Sequence, residues 1–292
     1  MASLKEVKNR ISMVTGTRKI TSAMKMVASS KLHRASSAIE QMRPYEAAIG
    51  RIMASFMSGT DGDGLTSPLA AEREVKRATL VVFTSNSSLC GGFNAHAIAA
   101  MHHAIADYRA RGVEIVRVWC FGRKGAEAAR RSGYPVDETY VAQTDHPTYA
   151  PAADLARLLM QDYLSGATDE VTTIYHHFKS AGTQILRSKR YLPIRLESQA
   201  AGQTTSGWAA DYIIEPGRVE VMSALVPQSL SLNLYAAWLD SLASEHAARV
   251  IAMQVATDNA DELLRELRLT YNKTRQQAIT TELLDIVGGS MH

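Results

Sequence analysis

SLSLNLYAAWLDSLASEHAARVIAMQVATDNADELLRELRLTYNKTRQQAITTELLDIV, Ser229 to Val287, runs for almost sixty residues without a proline or a glycine. Its apolar and small residues at Met253, Thr257, Ala260, Leu264, Leu267, Tyr271, Thr274 and Ala278 are spaced alternately four and three apart. That spacing is the seam of a coiled coil. As a helix the stretch would be roughly 85 Å long at 1.5 Å per residue, well beyond the roughly 8–20 residues usual in a globular domain. Its seam needs a second long helix for cover.

The beginning of the chain supplies one. Met1 to Met57 holds only Gly16, Gly50 and Pro44 as helix breakers. In one heptad phase its seam reads Leu4, Val7, Ile11, Val14, Arg18, Thr21, Lys25, Ala28, Leu32, Ala35, Ile39, Met42, Glu46, Ile49, Met53 and Phe56. Apart from Glu46, the polar exceptions are the consecutive Arg18, Thr21 and Lys25, where the apolar side passes to Ile20, Met24 and Val27. A stripe that leaves its phase for one stretch predicts that the helix faces something else there. Pro44 is expected to kink it.

Charge separates the two helices. The first, to Ser58, carries ten Lys or Arg against three Glu, and the second, from Ser229, carries five Lys or Arg against eight Asp or Glu. Opposite signs favour their pairing. The positive surplus of the first reads either as a solvated face or as a surface for an acidic partner.

Between the helices the period changes. Ser58 to Pro68, SGTDGDGLTSP, is a turn-rich linker. Strands are predicted at Thr79–Ser85, Glu114–Phe121 and Glu170–Phe178, with another at Arg190–Leu196. Helices are predicted at Asn94–Arg111, Lys124–Arg131 and Ala152–Ser165. This alternation indicates an α/β domain with a largely parallel sheet. Glu197 to Trp208 reads as a polar loop, and Asp211 to Val226 is ambiguous, with Pro216, Gly217 and Pro227 as breaks before the last helix. The expected division is 1–58 for the first coiled-coil helix, 69–210 for the α/β domain, 211–228 for a connection and 229–292 for the second coiled-coil helix. The fold class is α/β, with an antiparallel coiled coil of the terminal helices and an inserted Rossmann-like domain at one end of the resulting rod.

The totals exclude several functions. With 292 residues and 46% hydrophobic content, the composition is that of a soluble globular chain with room for two units. Cys90 and Cys120 are the only cysteines, too few for a disulfide framework or a zinc site, which favours a reducing location. No run of eighteen or more apolar residues marks a membrane span, and the amphipathic N-terminus lacks a signal-peptide core. A net charge of +3 without aromatic interleaving gives poor support for a nucleic-acid-binding coiled coil.

Catalytic motifs are equally sparse. LCGGFN at Leu89–Asn94 follows the first strand and opens a helix, so it reads either as a structural turn or as a phosphate cradle. The G-x-x-x-x-G-K-[ST] loop is absent, as are H-E-x-x-H, G-x-S-x-G and C-x-x-C. The pairs His102-His103 and His176-His177 point to different faces and make no convincing metal site. A small enzyme using the α/β domain stays as an alternative and predicts nucleotide binding by the chain alone. Met24 reads either as core-filler or as an intermolecular contact. Lys273, Arg275, Gln276 and Gln277 read either as a solvated surface or as a docking patch for acidic loops.

Three stretches carry a resemblance. LKEVKNRISMVTGTRKITSAMKMVASSKLHRA at Leu4–Ala35, LCGGFN, and EHAARVIAMQVATDNADELLRELRLTYNKTRQQAITTELLDIVGG at Glu245–Gly289 resemble the γ subunits of rotary F-type ATP synthases, with helix, domain and helix in the same order. The resemblance implies a central stalk turning inside a head of alpha and beta subunits, with the α/β domain as a foot on the membrane c-ring and an epsilon subunit beside it. It implies a non-catalytic subunit with no cofactor, peripheral to the cytoplasmic face of the bacterial inner membrane. Contacts with the catalytic subunits map onto Met24 and Lys25 of the first helix and Arg275, Gln276, Thr280 and Glu282 of the second, with Arg249 affecting coupling. Asp211 to Pro216 resembles the loop that meets the c-ring, with Tyr212 and Glu215 as its contacts. Ser85, Asn86, Ser87 and Ser88 stand where the family often has an Asp and a basic residue. The cysteine-bearing regulatory insert of chloroplast relatives is absent.

Overall fold

The structure is a computed structural model that describes residues 4–58, 67–194, 215 and 217–289. It contains two compact units, Met1–Ser30 with Arg249–His292, and Lys31–Ala248. The two long helices, α1 (Leu4–Ser58) and α5 (Arg218–Gly289), contribute to both units.

In the larger unit the central strand β1 (Arg77–Phe83) alternates between two cores, as the period-2 geometry of a strand requires. Ala78, Leu80 and Val82 enter one core, and Val81 and Phe83 the other. Strand β2 (Glu114–Phe121) repeats the pattern, with Val118 and Cys120 on one side and Trp119 and Phe121 on the other. Both faces therefore need helices.

The first face is covered by α2 (Phe93–Ala110), through Met101, Ile105 and Tyr108, and by α3 (Arg123–Arg131), through Ala126 and Ala129. The second is covered by α4 (Tyr149–Leu164), through Leu155, Leu159 and Tyr163, and by the first turns of α5, through Met222, Val226, Leu230, Leu234 and Trp238. Strands β3 (Val136–Asp137), β4 (Glu170–Ser180) and β5 (Thr183–Leu192) complete a five-stranded sheet of order β3-β2-β1-β4-β5. It is parallel except for the β4–β5 pair. Gly122, at φ 101°, lets α3 close onto β1, because a Cβ there would lie 2.1 Å from the carbonyl oxygen of Thr84. In a third cluster, Ala35 and Ile39 of α1 pack with Leu239, Leu242 and Ala243 of α5.

Two expected boundaries move. Pro227 does not break the last helix, since α5 begins at Arg218 and passes through it. A proline inside a helix costs about 3 kcal/mol, but Met222 and Val226 are fully buried just before it. Each contributes about 1.5–3 kcal/mol, which outweighs the lost turn. Of the strand expected at Arg190–Leu196, Arg190 to Leu192 form the end of the longer β5, whose first residues alternate too many polar side chains to read as buried, and residues 195–196 lie outside the described residues. The loop expected at Glu197–Trp208 lies outside the described residues.

In the smaller unit α1 and α5 pair antiparallel. Val7, Thr21 and Ala28 are buried on one helix, and Met253, Ala260, Leu264 and Leu267 on the other. These are the seam positions that the heptad spacing picks out.

A candidate partner interface on the terminal helices

The seam does not lose its phase at Arg18, Thr21 and Lys25. It becomes polar and stays against α5. Arg18 Nη1 donates to Asp261 Oδ1 at 2.8 Å, the Thr21 and Thr257 hydroxyls share a hydrogen bond of 2.8 Å, and Lys25 Nζ donates to Gln254 Oε1. Gln254 Nε2 in turn donates to Asp258 Oδ1 at 2.7 Å. The apolar residues that seemed to take over the seam point outward, with Ile20 62% and Val27 59% exposed. Met24 and Lys25 are half-buried. Two apolar positions in the sequence, Ile20 and Val27, thus belong to the surface, and three polar ones to the helix contact.

Magnitudes separate the roles of these layers. The Arg18–Asp261 pair is nearly half exposed on both sides, so it contributes about 0.2–1 kcal/mol. A buried leucine such as Leu264 loses about 2–5 kcal/mol on truncation to alanine. Apolar layers hold the helices together, and the polar layer fixes how far one is slid along the other, because a shifted register would leave its donors and acceptors unmatched.

The pairing of Arg18 with Asp261 and of Lys25 with Gln254 also fixes the register toward the first described residue of α1. Continued at the same register, it places Leu4 opposite about residue 275. α5 runs on to Gly289. Arg275, Gln276, Thr280 and Glu282 are all exposed on this extension. Thr280 Oγ1 donates to the Gln276 carbonyl at 2.9 Å, which joins those two residues on one face. The extension also exposes Ile279 (49%), Leu283 (57%), Leu284 (66%), Ile286 (65%) and Val287 (52%). These apolar residues escaped the sequence reading, although the mismatch in helix length was a signal for them. Such a row on one helix is a surface awaiting cover.

The other expected contacts are dispersed. Arg249 is buried, at 8% exposure, so its side chain is not a surface contact of this chain. Glu215 is an exposed bend residue, and Tyr212 lies outside the described residues. The structure therefore brings together the contacts on each terminal helix.

The LCGGFN loop after β1 closes upon itself. Asn94 accepts from the Ser85 N–H at 2.9 Å and donates to Ser85 Oγ at 2.7 Å, while Ser85 Oγ donates to the Ser87 carbonyl at 2.6 Å. Asn86 accepts from the Arg123 N–H at 2.9 Å, which ties the loop to α3. Leu89 and Gly91 take positive φ values of 69° and 58°. The serine and asparagine side chains thus satisfy the turn from within, as a structural turn would. Among the described residues no group of three or more His, Cys, Asp or Glu side chains is placed to hold a metal ion, and no helix is long and apolar enough to cross a membrane.

Comparison with known proteins agrees with this architecture. The sequence profile of the family described as ATP synthase matches residues 3–291. The chain is 51% identical to an ATP synthase gamma chain of Bacteroides fragilis and 50% identical to one of Phocaeicola vulgatus, covering 100% of each chain in both cases. An ATP synthase gamma chain of Flavobacterium johnsoniae is 41% identical over 99% of this chain and 98% of its own. Among solved structures, the mitochondrial ATP synthase OSCP/F1/c-ring assembly of Euglena gracilis contains a chain with the same fold. The TM-score is 0.62 at 18% identity, over 99% of this chain and 93% of that one. The central stalk/c-ring structure of Tetrahymena thermophila gives 0.57 at 23% identity, over 81% and 99%. With a match along nearly every residue and relatives half identical from end to end, the chain belongs to the ATP synthase gamma-chain family.

Proposed function

We propose that this γ chain is the central rotor stalk of an F-type ATP synthase, turning within a head of alpha and beta subunits and resting on the membrane c-ring beside an epsilon subunit. The observation that carries the reading is the last turns of α5, which expose five apolar side chains along one helix. Covering them would contribute about 1 kcal/mol each, half the value for full burial of such side chains. A close-fitting apolar collar in the head supplies that cover and still allows rotation, because apolar contact is non-directional.

Torque enters through asymmetry. A two-helix coil presents a different edge at each angle to three otherwise equivalent catalytic subunits, and differential contact energy biases their sites in turn. Met24, Lys25, Arg275, Gln276, Thr280 and Glu282 are the proposed contacts with the catalytic subunits. Arg249 is proposed to act from inside, by positioning α5. Tyr212 and Glu215 are the proposed contacts with the c-ring. The chain itself is read as non-catalytic, since the loop after β1 directs its polar groups inward rather than to a phosphate. The proposed location is the cytoplasmic face of the bacterial inner membrane, as a peripheral subunit.

The test is co-assembly with the alpha and beta subunits, with ATP hydrolysis measured with and without this chain. One copy entering per six head subunits, with activity rising on its entry, supports the stalk reading. A chain that stays apart, or that hydrolyses ATP alone, overturns it.

A further inference from the structure

The β4–β5 hairpin carries two exposed cations on a core-facing side of the sheet. Lys189 lies opposite Thr173, and Arg187 opposite Tyr175. By strand alternation both cations share a face with Tyr175 and Tyr191, which belong to the core under α5. A face that covers a core ordinarily carries apolar side chains. Here it opens instead into a groove of about 260 Å³, walled by α1 on one side and by α5 on the other. The small residues Ala236 and Ala237 of α5 leave it room.

The charges in the groove do not balance. Arg43, Arg187, Lys189 and Arg190 line it together with Glu46 and Asp240. Asp240 is engaged by His177 at 2.6 Å, and Arg190 by Glu72 at 3.2 Å. Arg43, Arg187 and Lys189 are then set against Glu46 and against Asp240, whose charge Arg187 shares with His177, so the cations remain in excess. Arg187 lies beside Tyr175 on this face, opposite it in the strand register. Like charges from two different elements, α1 and β5, repel one another unless an anion lies between them.

We propose that this groove binds a phosphate-bearing anion, with Arg43, Arg187 and Lys189 as its ligands. Arginine forks match the oxygens of a phosphate in a bidentate manner, and lysine adds a point charge. The volume falls just under the roughly 300–1,000 Å³ of sites for drug-sized ligands, so the occupant is a phosphate or pyrophosphate group rather than a whole nucleotide. That group belongs either to a soluble ion or to the headgroup of an acidic lipid.

The purified full-length chain separates these sources. Titration with pyrophosphate at low salt is followed by calorimetry, and co-sedimentation uses phosphatidylcholine vesicles with and without phosphatidylglycerol. Saturable binding of either probe is expected to fall at least tenfold in the double variant Arg187→Gln/Lys189→Gln and in Arg43→Gln, which lies on a different element. Arg157→Gln, a surface charge change elsewhere, is expected to leave it unchanged. Pyrophosphate binding with this pattern assigns a soluble ion, and phosphatidylglycerol binding with this pattern assigns a headgroup. Failure of both probes to bind, or equal losses in Arg157→Gln, overturns the proposal. Thermal unfolding of each variant confirms that the fold is kept.

Discussion

Thr21 and Thr257 give the sharpest test of the polar layer. Each hydroxyl has one proton and two possible partners. Thr257 Oγ1 lies 2.8 Å from the Met253 carbonyl, Thr21 Oγ1 lies 3.1 Å from the Arg18 carbonyl, and the two hydroxyls are 2.8 Å apart. Thr21→Val removes the bond across the helices and leaves Thr257 bonded to its own helix, so the cost is that of one net hydrogen bond, about 0.5–1.5 kcal/mol. Thr257→Val has a similar cost, because the Thr21 hydroxyl can turn to the Arg18 carbonyl. The double variant leaves two apolar groups of the same shape on the seam, which is nearly neutral or stabilising. The single losses therefore do not add, and the cycle yields a coupling of about 1 kcal/mol or more. Urea unfolding of the full chain, followed by circular dichroism of the helical signal, measures all four proteins. Additive losses in the double variant would falsify the claim that these hydroxyls meet across the coil.

Other expectations follow from the same contacts. Trp238→Phe should cost about 1–3 kcal/mol, because it orphans the buried Thr144 carbonyl that accepts from Trp238 Nε1 at 3.0 Å; urea unfolding with an unchanged midpoint would contradict it. Leu283→Gln/Leu284→Gln should alter the unfolding midpoint by less than about 0.5 kcal/mol equivalent but weaken assembly with the alpha and beta subunits, as read by size-exclusion chromatography. Burial would raise the Asp169 carboxyl, but the Lys76 and Arg77 N–H groups and the charges of Arg73 and Arg77 overcome it and hold it below its ordinary value. Its stabilisation is thus present above about pH 4 and is lost as pH falls through the lower folded value; Asp169→Asn should flatten that acid limb of the unfolding profile. His176 is buried and lies near His96, which together push its imidazole down from 6.5 to about 4. Stability on the order of 3 kcal/mol should therefore fall away as pH drops from 6.5 toward 4, and His176→Leu should remove that segment of the profile.

The sequence by itself determined the two terminal helices, their seam and the α/β alternation between them. These follow from local periodicity, which a chain carries whether or not it is folded. Glu114–Phe121 is a strand over the residues that its apolar pattern marks, and Met253, Ala260, Leu264 and Leu267 are buried where the heptad places them. The family likeness was also legible, since it rests on the order of residues alone.

Only the tertiary structure decided what the polar break in the first helix is for. Arg18, Thr21 and Lys25 look like a departure from the seam when read on one helix, because their partners Asp261, Thr257 and Gln254 lie more than two hundred residues away. The same is true of Pro227, which reads as a stop until the burial on its N-terminal side is known, and of Arg249, whose charge suggests a surface that its packing denies. Hydrophobic period is a property of one segment, whereas the register of two segments, and hence which side chains remain exposed for a partner, is set by contacts between residues far apart in the chain.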